Sequence, residues 1–144
     1  MSEIKVIKGE IFQDHRGVIT SLNNFVFEGV ERVYFIHHTD KSVIRGWHAH
    51  KFEKKWFYCV KGSFTVALVK IDDWDNPSTD LQPEIFNLSE SESNIVAVPE
   101  GYANCIKATS DEATIMVFSD KRLPEAYNDS WRYDSSLWVD WSKY

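Results

Sequence analysis

Cysteine is scarce. Cys59 and Cys105 are the only two, too few and too widely spaced for a disulfide framework or a cysteine-based zinc site. The opening MSEIKVIKGEIF has no basic region followed by an apolar run, so no signal peptide is expected. No run of about 18 apolar residues offers a membrane span. A cytoplasmic protein with reduced thiols is the expectation. Basic charge is lacking as well: the net charge is −6, which argues against a nucleic-acid duplex as partner. It leaves room for a nucleotide, because a few local arginines can hold a pyrophosphate. There is no internal repeat, linker or low-complexity tract, and no amphipathic stretch of three helical turns capped at both ends.

Apolar residues are plentiful. Across 144 residues, 43% are hydrophobic and 15% aromatic, enough for one domain, 1–144, with a real core. They come in short bursts rich in β-branched and aromatic residues: Val30–Ile36, Trp56–Val60, Phe64–Ile71, Ile95–Pro99 and Thr114–Ser119. Turn chemistry separates them at Lys61-Gly62, Asp75-Asn76-Pro77 and Pro99-Glu100-Gly101. Phe64–Ile71 alternates with apolar residues on both faces, as a strand covered on both sides does. The best helix is short, around Pro124–Tyr127. The spacing predicts an all-β sandwich or barrel.

The densest polar signal is Arg45-Gly46-Trp47-His48-Ala49-His50-Lys51. Extended backbone has a side-chain period of two, so His48 and His50 share one face, opposite Trp47 and Ala49. Two converging imidazoles can bind a metal or exchange protons near neutral pH. A metal needs a third ligand.

These residues resemble the cupin superfamily, whose first motif holds His-x-His with a following glutamate. His48-Ala49-His50 fits, although Glu53 and Gly62 are displaced from the usual spacing. In the second motif, Pro99-Glu100-Gly101-Tyr102-Ala103-Asn104 places Asn104 where the third histidine ligand would stand, so no metal or other cofactor is expected. The match is closer to the nucleotide-sugar epimerase and isomerase branch, typified by dTDP-4-dehydrorhamnose 3,5-epimerases and dTDP-sugar 3,4-ketoisomerases. Asp14-His15-Arg16-Gly17 is similar to its Asp-x-Arg-Gly. Glu31 to Ile36 is similar to the ketoisomerase Arg-Val-Tyr strand, and Arg45 to Lys51 to its Arg-Gly-Phe-His-Ala-His-Lys. Asn87-Leu88-Ser89, Pro99 to Ala103 and Trp131 to Trp141 are similar to epimerase segments.

The resemblance implies a double-stranded β-helix (cupin, or jelly-roll) barrel. It implies a dTDP-linked 4-keto-6-deoxy sugar as substrate, in bacterial surface-glycan (lipopolysaccharide) precursor synthesis, and a homodimer with residues around Ile4–Ile7 added to the partner's sheet. His48 is the implied base, His50 the second proton handler and Lys55 the cation beside a developing enolate. Tyr34 reaches the sugar, Arg16 and Arg45 hold the pyrophosphate, and Asn104 lines the substrate site. Blander roles stand beside these: a salt bridge for Arg16, a solvated Lys54-Lys55 pair, a packing role for Tyr34. Two family features are missing: the epimerase tyrosine, whose place is taken by Ile115 to Ser119, and a C-terminal aspartate partner for the histidine. The pattern therefore favours 3,4-ketoisomerisation. A 3,5-epimerase, an inactive nucleotide-sugar-binding cupin and a metal-dependent cupin enzyme are the alternatives. Trp131, Trp138 and Trp141 are expected to pack the C-terminal segment onto the sheet or into a subunit contact, and Cys59 to be inert core.

Overall fold

A computed structural model describes residues 3–144. Its strands are β1 (Lys5–Lys8), β2 (Glu10–Asp14), β3 (Gly17–Ser21), β4 (Arg32–His38), β5 (Ile44–His50), β6 (Lys55–Lys61), β7 (Ser63–Lys70), β8 (Glu84–Ser89), β9 (Asn94–Val98), β10 (Tyr102–Ala108), β11 (Ala113–Ser119) and β12 (Trp131–Arg132). One helix, α1 (Leu123–Asn128), has Pro124 in its first turn, where a missing N–H costs nothing. Two five-stranded antiparallel sheets, ordered β1-β9-β6-β11-β4 and β12-β5-β10-β7-β8, face each other as a jelly roll. The expected all-β barrel is what the chain forms.

Side-chain alternation divides the core into three layers. Phe57, Val66, Leu68, Val96, Ile106, Ile115 and Val117 fill the space between the sheets. The odd-numbered neighbours on β7 and β10, Ala67, Val69, Ala103 and Cys105, point outward, under a cover made by Trp131, Tyr133, Trp138 and Trp141. The C-terminal tryptophans thus pack the tail back onto its own sheet. On the other outer face Phe25 packs against Trp56 and Phe118. This double coverage explains why β7 reads as apolar on both faces. Cys59 is buried, and burial pushes its thiol up to about 11.

One expectation meets a different arrangement. The segment around Ile4–Ile7 pairs with β9 of its own chain, Lys5 opposite Ala97 and Ile7 opposite Ile95; β9 offers an open edge within the same sheet, so the nearer partner takes it. Strands β2 and β3 form a separate two-stranded hairpin.

Strand β5 carries the irregularity that builds the site. Its register with β10 shifts between Asn104 and Cys105, with Asn104 opposite His48 and Cys105 opposite Gly46, so Trp47 is the extra residue of a β-bulge. Trp47 pairs instead with the backbone of Tyr133 and buries its ring under the tail. Gly46 sits at φ +133°, and a Cβ there would lie 2.6 Å from the Asn104 carbonyl oxygen. Only glycine fits.

Candidate active site

The bulge changes which side chains share a face. Uninterrupted alternation puts Arg45 with Trp47, facing outward. With Trp47 absorbed by the bulge, Arg45 pairs with the interior residue Ile106 and lines the same cavity as His48 and His50. The cavity has a volume of about 430 Å³ and opens between the two sheets. The histidines come from β5 on one sheet. Tyr34 on β4 and Lys55 on β6 face them from the other. Lys55 is buried and donates to the Tyr34 hydroxyl at 3.0 Å, while Lys54 stays outside against Glu100. Asn104 lines the cavity and donates its amide to the His48 carbonyl at 3.1 Å.

The imidazoles lie side by side, ring centroids 4.3 Å apart. His48 Nε2 is hydrogen-bonded to Ser130 Oγ at 2.8 Å. His50 donates from Nδ1 to the Asp129 carbonyl oxygen at 2.7 Å, because a carbonyl can only accept. That leaves Nε2 of His50 as the nitrogen with a free lone pair; it is buried and has no protein partner. Burial, then the adjacent His50, Lys55, Arg132 and Arg45, push His48 down to about 3. Burial and Lys55 also lower His50, opposed by Glu53 and the Asp129 carbonyl. Both rings are therefore neutral at pH 7 and able to accept a proton.

Arg45, Arg132, Arg32 and Lys55 give the cavity walls an excess of positive charge over the single carboxylate of Glu53, in a protein of net charge −6. Such a cavity suits a small anion of high charge. Among the described residues, no three histidine, cysteine, aspartate or glutamate side chains are grouped to hold a metal ion.

Of the residues singled out in the sequence, His48, His50, Lys55, Tyr34, Arg45 and Asn104 come together here. Arg16 does not. It sits at the tip of the β2–β3 hairpin, its side chain 72% exposed, held by Asp14 through bonds of 2.6 and 3.0 Å. The expected pyrophosphate contact of Arg16 is therefore not formed within this cavity, and the guanidinium pairs locally with Asp14.

Sequence reading missed Arg32, Glu53, Ser130 and Arg132, which line the cavity, and Asp129 beside it. Arg32 was within reach, two residues before Tyr34 on the same strand face. Ser130 and Arg132 lie some 80 residues from the histidines they approach and carry no local signal. The C-terminal region does supply histidine partners after all. They are a main-chain carbonyl and a hydroxyl, where a carboxylate was the feature judged missing.

Residues 2–135 match the family described as "FdtA: WxcM-like, C-terminal". The chain belongs to this family. Solved structures similar to it include the QdtA 3,4-ketoisomerase from Thermoanaerobacterium thermosaccharolyticum in complex with TDP, with 24% identity over 92% of this chain and 89% of that one, TM-score 0.73. The dTDP-6-deoxy-D-glucose-3,5-epimerase RmlC from Legionella pneumophila, bound to dTDP-4-keto-L-rhamnose, has 20% identity over 97% and 79%, TM-score 0.77. The 4-keto-6-deoxy sugar epimerase NovW from Streptomyces spheroides has 22% identity over 95% and 73%, TM-score 0.77. No curated protein sequence matches. The resemblance read from the motifs is thus borne out for family and fold.

Proposed function

We propose that this WxcM-like protein is a nucleotide-sugar isomerase that converts a dTDP-linked 4-keto-6-deoxy sugar to its 3-keto isomer. The observation that carries the reading is the pair of imidazoles, 4.3 Å apart on one wall of a cavity in which Arg32, Arg45, Lys55 and Arg132 outnumber the single carboxylate of Glu53. The 4-keto group acidifies the hydrogen on carbon 3. His48 removes it, and the resulting enediolate is stabilised by Lys55 and the Tyr34 hydroxyl. His50 Nε2 handles the second proton, between the oxygens or onto carbon 4. Proton transfers alone convert substrate to product, with no change of oxidation state overall. Arg45 and Arg132 bind the diphosphate, and Asn104 lines the sugar site. The TDP and dTDP-sugar complexes of the similar structures support this ligand class.

A second reading, 3,5-epimerisation, has one specific observation in its favour. Tyr34 faces the histidines from the opposite sheet, where an epimerase needs an acid opposite its base. Incubation with dTDP-4-keto-6-deoxyglucose in deuterated water, followed by NMR, separates the readings. Ketoisomerisation places deuterium at carbon 4 of the 3-keto product and none at carbon 5. Label at carbon 5 marks an epimerase, and no turnover with retained dTDP binding marks a binding protein. The protein works in the cytoplasm on surface-glycan precursors. It acts as a homodimer, supported by the apolar exposure of the β2–β3 hairpin, where Phe12 is 57% and Ile19 61% exposed.

A further inference from the structure

Glu53 is a carboxylate with no exposure, placed beside a proton-handling histidine. Its side chain is fully buried. Oε2 accepts from Arg32 at 3.0 Å and from the Ser119 hydroxyl in a short bond. Oε1 lies 3.1 Å from His50 Nδ1 yet has no hydrogen-bond partner. The two facts agree once the direction of the proton is considered. Nδ1–H points at the Asp129 carbonyl, 2.7 Å away, so Glu53 acts on the ring by charge and not by a bond. Asp129 also fixes the carboxylate's backbone, since its own side chain accepts from the main-chain N–H groups of Lys51, Phe52 and Glu53 at 2.7, 2.8 and 2.9 Å. A buried carboxylate held this firmly costs desolvation and is retained where its field is used.

We infer that Glu53 is a positioning residue that sets the proton affinity of His50, holding Nε2 basic enough to accept a proton within the enzyme's working range. This rests on the isomerase reading above for its catalytic meaning, though not for its electrostatics. The other groups that face His50 oppose or leave that role open. His48 and Arg45 stand on its own strand and Lys55 on β6. Arg32 and Tyr34 lie on β4, Tyr102 on β10 and Arg132 on β12. The cations and the second imidazole disfavour the imidazolium. Glu53 is the stronger of two carboxylates that favour it; the Asp129 carboxylate adds to it, and the Asp129 carbonyl accepts the ring's hydrogen bond. The Asp129 carbonyl sets the tautomer, while Glu53 acts on affinity alone and more strongly than the Asp129 charge, so substitution at Glu53 isolates its contribution.

The test uses protein labelled with ¹⁵N-histidine, read by long-range proton–nitrogen NMR across a pH series, beside the pH dependence of kcat and KM. His48 and His50 interact, so each midpoint belongs to the pair, but the ring nitrogens are resolved separately. In the unsubstituted protein His50 shows protonated Nδ1 and bare Nε2. Glu53→Gln keeps that tautomer, lowers the His50 midpoint by about one pH unit or more, and moves the acidic limb of kcat the same way with KM little changed. Glu53→Asp, which keeps the charge but draws it back, gives an intermediate midpoint. A midpoint that stays in place or rises in Glu53→Gln overturns the inference, as does lost activity with an unshifted midpoint. Should Glu53→Gln fail to fold, an unshifted midpoint in Glu53→Asp overturns it equally. If the unsubstituted protein does not turn over the sugar, the isomerase reading fails while the NMR midpoint still decides the role of Glu53.

Discussion

His48 and His50 stand 4.3 Å apart in a cavity they share with three arginines and a lysine, and burial, then those cations, lowers the proton affinity of both. His48→Asn should lower kcat by at least about 100-fold, the size expected for loss of a positioned proton acceptor. His50→Asn should impair turnover severely while the Kd for dTDP, measured by calorimetry, stays near its original value, because the proposed phosphate ligands are Arg45 and Arg132. The same lowering makes stability depend on pH. His48 is depressed to about 3 from an ordinary 6.5, and His50 and buried His38 are lowered too. For His48, between those two pH values the unfolded chain binds a proton that the folded chain refuses, so stability falls as pH falls, by up to about 1.4 kcal/mol per pH unit from that site. The lowered His50 and His38 act in the same direction. Thermal denaturation should give a lower Tm at pH 5 than at pH 7.5, and His48→Asn should flatten that slope. A Tm that rises on acidification would show that the histidines are charged in the folded protein.

At the scale of the element, the bulge on β5 decides the composition of the site. It frees the Trp47 backbone to pair with Tyr133 of the tail and brings Arg45 into phase with the histidines. Gly46 makes the close approach to β10 possible. Gly46→Ala should therefore cost about 1–3 kcal/mol or more in denaturant unfolding, from strain at positive φ and a clash with backbone. It should also weaken dTDP binding by displacing Arg45. Arg45→Ala alone should raise the Kd for dTDP by about 10- to 100-fold, the value of a charge-assisted contact, with little effect on stability. If Gly46→Ala destabilised the fold but left dTDP affinity intact, the link between the bulge and Arg45 would be broken.

For the whole molecule, the two-sheet sandwich presents histidines from one wall and the Tyr34–Lys55 pair from the other, with α1 and the following residues closing the mouth. Among the described residues the β2–β3 hairpin forms a two-stranded sheet of its own and exposes Ile11, Phe12, Val18 and Ile19; Val26, Phe27, Val33 and Phe35 are exposed elsewhere on the chain. Apolar exposure on the hairpin marks an interaction surface, here proposed to be covered by a second copy of the chain. Light scattering at micromolar concentration should give a dimer, and Ile19→Asp should shift it toward monomer. A monomer before substitution would overturn the proposed assembly.

Much of this was legible along the chain. Period-two alternation and regular turn signals specify an all-β barrel, since burying alternate side chains leaves a strand few other solutions. His48 and His50 share a face for the same local reason, and the surrounding motif points to the family. Arg45's face was not legible, because a bulge is defined by the partner strand's register and not by the residues it displaces. Arg16 looked like a phosphate ligand until the hairpin turn placed it 72% exposed beside Asp14. Asp129 and Ser130 became the histidines' partners only when the chain returned across β5 some 80 residues later. Local patterning determined the strands and the paired imidazoles, because both depend on neighbours in sequence. The tertiary structure decided their protonation and the cations around them, because burial and charge come from whatever the fold brings alongside.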